Sequence, residues 1–239
     1  MIKNHYFQIA FASFLIGNSS FAFADSQLQN EAKLLNNTNY AEYNCNLNEA
    51  AFKSFFAHAG QIAAQFNVNT AKNIYNTAKG DVIFDISCGW GDRLTGFYLS
   101  EKSTYYGTDP NLNMFEIYKE MCHTYEKWLG CESILYKEGK DYFEIRGKKH
   151  VRIYNLPAED VNYNEIPDID LTFSSPPYFN IERYGEDDNQ SWVRYKTIDS
   201  WNHQFLHKAI DNMWPTLKSG GLLCINISDV NAKISKGAK

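Results

Sequence analysis

Short apolar runs alternate with helical stripes over most of this chain. Val82-Ile83-Phe84, flanked by polar residues within Asp81–Ser87, has the length and branching of a buried strand. Tyr105–Asp109, Leu171–Phe173 and Leu222–Ile227 repeat that signature, and Val151–Asn155 shows it weakly. Between them lie stripes of helical period. One helix is predicted from Thr70 to about Thr77, another from near Asp92. A third over Asn113–Trp128 sets Met114, Ile117, Tyr118 and Met121 on one face. Trp201–Leu217 carries Phe205, Leu206, Ile210, Met213 and Trp214 on one stripe, with Pro215 near its end. Tyr136–Arg152 is polar and strand-like, a hairpin about Gly147-Lys148, and 180–200 has no period and is predicted as a long loop. Strands alternating with helices predict an α/β fold with a doubly wound, mostly parallel sheet.

Upstream of this region the pattern changes. Residues 1–24 have the form of a secretory signal: Lys3, an apolar run from Phe7 to Gly17, and Ala22-Phe23-Ala24 before Asp25. The run is too short to span a bilayer as a helix. An accessory helix packed on the domain is the competing reading. Residues 25–47 are polar and Asn-rich, a linker with one short helix at Gln27–Leu35. The domain is expected to occupy 48–239, opening with a helix at Asn48–Gly60.

The length, 239 residues, suits one decorated α/β domain. A net charge of −5 argues against a broad electrostatic grip on nucleic acid. The densest basic run is Arg146–Arg152, equally a solvated turn between strands. The five cysteines form no CxxC pair and no zinc spacing, so reduced thiols and no metal are expected.

Two stretches carry chemistry. Asp85-Ile86-Ser87-Cys88-Gly89-Trp90-Gly91 follows a strand and precedes a helix. Its glycines let backbone approach a ligand, and the helix start offers free N–H groups. The spacing is neither a dinucleotide fingerprint nor a P-loop, and an ordinary βα turn has the same residues. Asp109, an acid closing the second strand, suits paired ribose hydroxyls. Ser174-Ser175-Pro176-Pro177-Tyr178-Phe179 makes a stiff lip at a strand's carboxyl end, where open α/β sheets bind ligands.

Taken together, Phe66 through Val230 resembles a class I S-adenosylmethionine-dependent amino-methyltransferase, of the superfamily of N4-cytosine and N6-adenine DNA methylases. The resemblance implies a Rossmann-like methyltransferase sheet and S-adenosyl-L-methionine as cofactor. Phe66 through Lys72 resembles the segment beside the methionine end of that cofactor, with Phe66 and Thr70 as contacts. Asp85, Ser87, Gly89, Gly91 and Asp92 are similar to the cofactor loop, Asp109 to the ribose acid, and Glu159 to the turn beside the adenine. Ser175-Pro176-Pro177-Tyr178 is similar to the catalytic motif, with Ser174 preceding it on the cofactor side. The resemblance implies that Ser175 and the Pro176 carbonyl accept hydrogen bonds from the target amine and that Tyr178 stacks on a base taken out of the duplex. The serine variant tilts the target towards cytosine N4 over adenine N6.

DNA is the expected partner, with RNA or a protein amide as alternatives, and no membrane unless the N-terminal segment persists as an anchor. By the same resemblance the last strands of the sheet are absent and the chain is C-terminally truncated, which adds an inactive cofactor-binding remnant to the alternatives. A cytoplasmic location is expected because cofactor and DNA are there, against the signal-like N-terminus.

Overall fold

A computed structural model describes residues 9–11, 66–179 and 182–227. The helices expected at Gln27–Leu35 and Asn48–Gly60, and the linker 25–47, lie outside the described residues.

The elements in chain order are β1 (Ile9–Phe11), α1 (Val68–Thr77), β2 (Val82–Asp85), α2 (Asp92–Leu99), β3 (Thr104–Thr108), α3 (Leu112–Trp128), β4 (Leu135–Glu138), β5 (Tyr142–Arg146), β6 (His150–Tyr154), β7 (Ile169–Ser174), α4 (Ser191–Arg194), α5 (Ile198–Trp201), α6 (Lys208–Met213) and β8 (Leu217–Ile225). The strands form one sheet in the order β1-β8-β7-β2-β3-β6-β5-β4. From β1 to β6 every pairing is parallel, and β6-β5-β4 closes the edge antiparallel. This is the doubly wound, mostly parallel sheet predicted from the alternation.

Period-2 alternation assigns the two faces. Ile83, Tyr105, Phe143, Ile145, Val151, Ile153, Leu171 and Phe173 point to the side covered by α1, α2 and α3, and are at most 1% exposed. Phe84, Tyr106, Tyr154, Leu223 and Ile225 point to the other side, where Trp201, Phe205, Ala209 and Met213 pack, and the irregularity between Ile169 and Leu171 brings Ile169 to that side as well. Those four residues lie on one helical run, since α5 continues through the π-helical Asn202–His207 into α6. Pro215 then falls in a 3-10 turn, Trp214–Thr216, and stops the helix earlier than the expected Leu217.

Three details differ from expectation. β8 starts at Leu217 and runs through Gly220-Gly221, because Gly220 at φ 83° and a register shift against Ile169/Leu171 make a bulge there, not a chain break. The loop 180–200 is shortened by α4 and by the start of α5. Finally, Ile9–Phe11, inside the signal-like run, is strand and not helix. It pairs in parallel with Leu223–Ile225 and satisfies one edge of β8, on the side away from β7 and its proline lip.

Candidate active site

Parallel strands β2, β3, β6, β7 and β8 end together, and the predicted site residues gather at those carboxyl ends. Gly89 (φ 61°) and Gly91 (φ 84°) bend the loop after β2 into left-handed backbone. A Cβ on Gly91 would lie 2.6 Å from Met121 Cε, the end of a flexible side chain, so it is the left-handed backbone and not packing that requires glycine there. A Cβ on Gly89 would meet nothing nearer than 3.8 Å, so the space above it is an open cradle. Cys88 N donates to the Thr108 carbonyl at 3.0 Å and ties the loop to the end of β3.

Asp109 sits just beyond that end. Its Oδ2 accepts from Gly89 N at 2.8 Å, and its Oδ1 from Asn111 N at 3.0 Å. The Tyr118 hydroxyl lies between Oδ2, at 3.2 Å, and the Gly89 carbonyl. Burial pushes this carboxyl up to about 6, against the hydrogen bonds from Asn111, Gly89 and Tyr118.

Beneath the loop lies a charged network. Asp85, fully buried, accepts from Arg93 Nε at 2.7 Å, the Tyr105 hydroxyl at 3.0 Å, Ser87 N at 3.1 Å and Ser174 Oγ at 2.7 Å. Arg93 also donates to the Ser87 carbonyl. Ser87 Oγ stands 2.9 Å from Ser174 Oγ and 3.1 Å from the Ser175 carbonyl. The chain Arg93–Asp85–Ser174–Ser87–Ser175 therefore locks the glycine loop to the proline lip. Asp85 and Ser174, expected as cofactor contacts, are both 0% exposed and lie under the cleft as its support.

At the lip, Ser175 Oγ accepts from Asn226 Nδ2 at 3.2 Å, and the same amide lies 3.4 Å from the Tyr178 hydroxyl. Among the described residues no hydrogen bond ends on the Pro176 carbonyl. Phe179 N donates to the Pro177 carbonyl at 3.0 Å, and Phe179 itself is left-handed at φ 47°. For a buried aromatic this backbone costs about 1–3 kcal/mol and marks a constrained turn. The Phe179 ring is anchored edge-on to Trp201, which leaves Tyr178 half-exposed beside Ser175.

The remaining expected residues flank this centre. Asn67 caps α1 by accepting from Thr70 N at 2.9 Å, and its Oδ1 also takes the Thr70 hydroxyl at 3.3 Å, so Thr70 serves the helix start. The Phe66 ring packs edge-on to Phe173 and under the Arg93 guanidinium, and Asp92 opens α2 beside it, its carboxyl raised by burial. Glu159 is buried. Its Oε1 accepts from the Tyr195 hydroxyl at 2.7 Å and pairs with Arg194 at 3.0 Å, whereas Oε2 has no partner among the described residues. Burial raises this carboxyl.

Sequence reasoning missed Asn226. Its signal is positional: it is the first polar residue after the apolar end of β8, beside the strand that bears the lip. Tyr184, Arg194 and Tyr195 were also missed, because the segment holding them has no period. In the fold it crosses the cleft. The Tyr184 carbonyl accepts from Asn111 Nδ2 at 3.4 Å, its ring meets Trp90, and Arg194 pairs with Asp160 at 2.7 Å.

Residues 169–238, from β7 onward, match the DNA methylase family model. No curated protein sequence matches the chain significantly. Solved structures with similar folds include an rRNA methylase from Streptococcus thermophilus (11% identity, TM-score 0.41, covering 69% of this chain and 71% of that one). A precorrin-6y C5,15-methyltransferase from Geobacter metallireducens shares 13% identity at TM-score 0.43, covering 71% and 66%. A Streptococcus mutans protein described as a methyltransferase, in complex with S-adenosylhomocysteine, shares 13% at 0.41, covering 68% and 72%. A glycine loop, an acid and a proline lip thus stand on neighbouring strand ends of this sheet, and the match to the DNA methylase family model begins on the strand that carries the lip.

Proposed function

We propose that the protein methylates an exocyclic amino group of a DNA base, cytosine N4 ahead of adenine N6. The observation that carries this reading is the pair of acceptors at the lip. Ser175 Oγ is held by Asn226, and the Pro176 carbonyl has no described partner. An exocyclic amine is a poor nucleophile because its lone pair is delocalised into the ring. Acceptors placed at its two hydrogens localise that pair as the nitrogen becomes tetrahedral. Proline has no N–H to compete, and its fixed φ holds the carbonyl in place. Tyr178 is the stacking platform for a base extruded from the duplex.

The residues present fit the cofactor. The open cradle above Gly89 admits a ligand to the backbone. Asp109 Oδ1 keeps an acceptor position for a ribose hydroxyl beyond its bond from Asn111. The unpartnered Glu159 Oε2 suits the amino group of an adenine. Phe66 and Asp92 would border the methionine end. When bound, S-adenosylmethionine supplies an electrophilic methyl group on a sulfonium. The protein's part is proximity and orientation: the Ser87–Ser174–Asp85 network fixes the distance between cofactor loop and lip. The amine's surplus proton leaves to water, so no side chain with a displaced pKa is required of the lip.

The test is methyl transfer from labelled cofactor to duplex DNA, RNA and protein, followed by mass spectrometry of the nucleosides. Label is expected in N4-methylcytosine. Ser175→Ala is expected to lower kcat roughly 10²-fold, by analogy with removal of one positioned transition-state hydrogen bond, with S-adenosylhomocysteine binding retained. Label confined to RNA or protein, or full activity in Ser175→Ala, overturns the proposal.

A further inference from the structure

The basic run Arg146–Arg152 was left without a role, and the fold divides it. Lys149 turns inward, where its Nζ donates to the carbonyls of Phe97, Ser100 and Lys102 at 2.7–2.9 Å, at the carboxyl end of α2. Arg146 and Arg152 turn to the opposite face. There they join Lys137, Leu135, Tyr136 and Glu144 around a cleft of about 280 Å³.

Three properties of this face stand out. First, it is open: among the described residues Leu135 is 67% exposed and the Arg146 side chain 59%. Second, three cations face one carboxylate, a local surplus of two positive charges on a chain of net charge −5. Third, the cations are held in place. Glu144 accepts from Arg146 Nε at 2.7 Å and Arg152 at 2.5 Å, and pairs with the His150 ring at 2.7 Å. The Arg152 guanidinium lies over the Tyr142 ring at 4.7 Å and Lys137 Nζ at 5.7 Å. Glu144 therefore orders the arginines without cancelling the surplus, and among the described residues Arg152 Nε has no partner.

β6, which carries Arg152, is three strand spacings from β7, or about 14 Å. Duplex DNA carries about one negative charge per 1.7 Å of axis. A duplex with its target base at the lip extends well past that distance. We infer that the β4–β5–β6 face is a docking platform for the phosphate backbone of duplex DNA, with Lys137 and Arg146 as phosphate contacts and Tyr142 as their support.

This inference rests on the DNA reading of the active site, so the experiment separates the two. Duplex DNA affinity is measured against salt for the full chain, for Lys137→Ala with Arg146→Ala, and for Lys127→Ala, an exposed lysine at the end of α3. Losing two phosphate contacts lowers the slope of log affinity against log salt by about 1.8. KM for duplex rises while kcat and S-adenosylhomocysteine binding stay unchanged, and Lys127→Ala leaves the slope alone. An unchanged slope in the double variant, with DNA methylation by the parent intact, overturns the platform and spares the function. A slope change seen with RNA but not with DNA also overturns it. A parent chain that neither binds nor methylates DNA removes both.

Discussion

Arg93→Met isolates the network under the cofactor loop. Arg93 is 5% exposed, Asp85 is 0% exposed, and their contact is 2.7 Å. Removing one partner of a buried ion pair leaves an uncompensated charge and costs about 3–5 kcal/mol. Here Asp85 keeps donors in Ser174, Ser87 N and Tyr105, which places the cost at the lower end, about 3 kcal/mol. For a domain of this size each kcal/mol moves Tm by roughly 2–4 °C, so the expected fall is about 6–12 °C. Methionine conserves most of the stem's packing, so the loss is assigned to the charge. Adding Asp85→Asn removes the stranded carboxylate, and the double variant is expected to be more stable than the sum of the single losses by about 1–3 kcal/mol. Urea unfolding of the four proteins closes the cycle. Because Arg93 also holds the Ser87 carbonyl, S-adenosylhomocysteine affinity should fall with Arg93→Met even well below its Tm. A loss under about 1 kcal/mol, or strict additivity in the cycle, refutes the view that this pair is the loop's foundation.

Asp109 has a folded value of about 6, raised by burial from the ordinary 3.8. Its carboxylate is the acceptor form, so calorimetric affinity for S-adenosylhomocysteine should drop as pH falls through 6, and Asp109→Asn should flatten that profile. The same raised value favours folding in acid: the contribution is full below the unfolded value and lost as pH rises through 6. Glu144 has the opposite sign. Burial alone would lift it, but hydrogen bonds from Arg152, Arg146 and His150 outweigh burial and hold it at about 2, below the ordinary 4.5. Its stabilisation is present above 4.5 and lost as pH falls towards 2, so Glu144→Gln should flatten the acid limb of unfolding stability over that window. Asn226→Ala releases Ser175 Oγ and should cut kcat roughly tenfold, the effect of about 1.4 kcal/mol in the barrier, with cofactor affinity unchanged. A matched loss of cofactor binding would place Asn226 in the fold's support and not at the lip.

The parts of this fold that were legible in the sequence share a physical cause. Val82–Asp85, Thr104–Thr108 and Ile169–Ser174 are buried on both faces from their second residue or earlier, so each carries short apolar, aromatic or β-branched runs bounded by polar residues. The glycine loop and proline lip were legible because backbone geometry there admits few residue types. β4 was harder to see, because all its residues are exposed and its alternation does not separate a core face from a solvent face. The strand start at Leu217 was hidden because Gly220-Gly221 has the composition of a turn, whereas the neighbouring strand turns those glycines into a bulge.

What the sequence could not place is the coupling between its two motifs. Asp85 and Ser174 are 89 residues apart, and each was read as a ligand contact because each belongs to a motif expected to hold one. The fold gives them to each other: Ser174 Oγ donates to Asp85 at 2.7 Å, and Arg93 neutralises the carboxylate from the other side. That arrangement explains why a polar Asp85 and Ser174 occupy strand ends that are otherwise apolar. Their hydrogen bonds cross from β2 to β7, so the glycine loop and the proline lip, which in the proposed function hold the methyl donor and the amine, cannot drift independently. A methyl group passes over a gap of a few ångströms, and a misplacement of about 1 Å costs on the order of 10²-fold in rate. The buried charge is therefore best understood as a distance constraint between glycine loop and proline lip, and under the proposed function it ties the stability of this network to the rate of transfer.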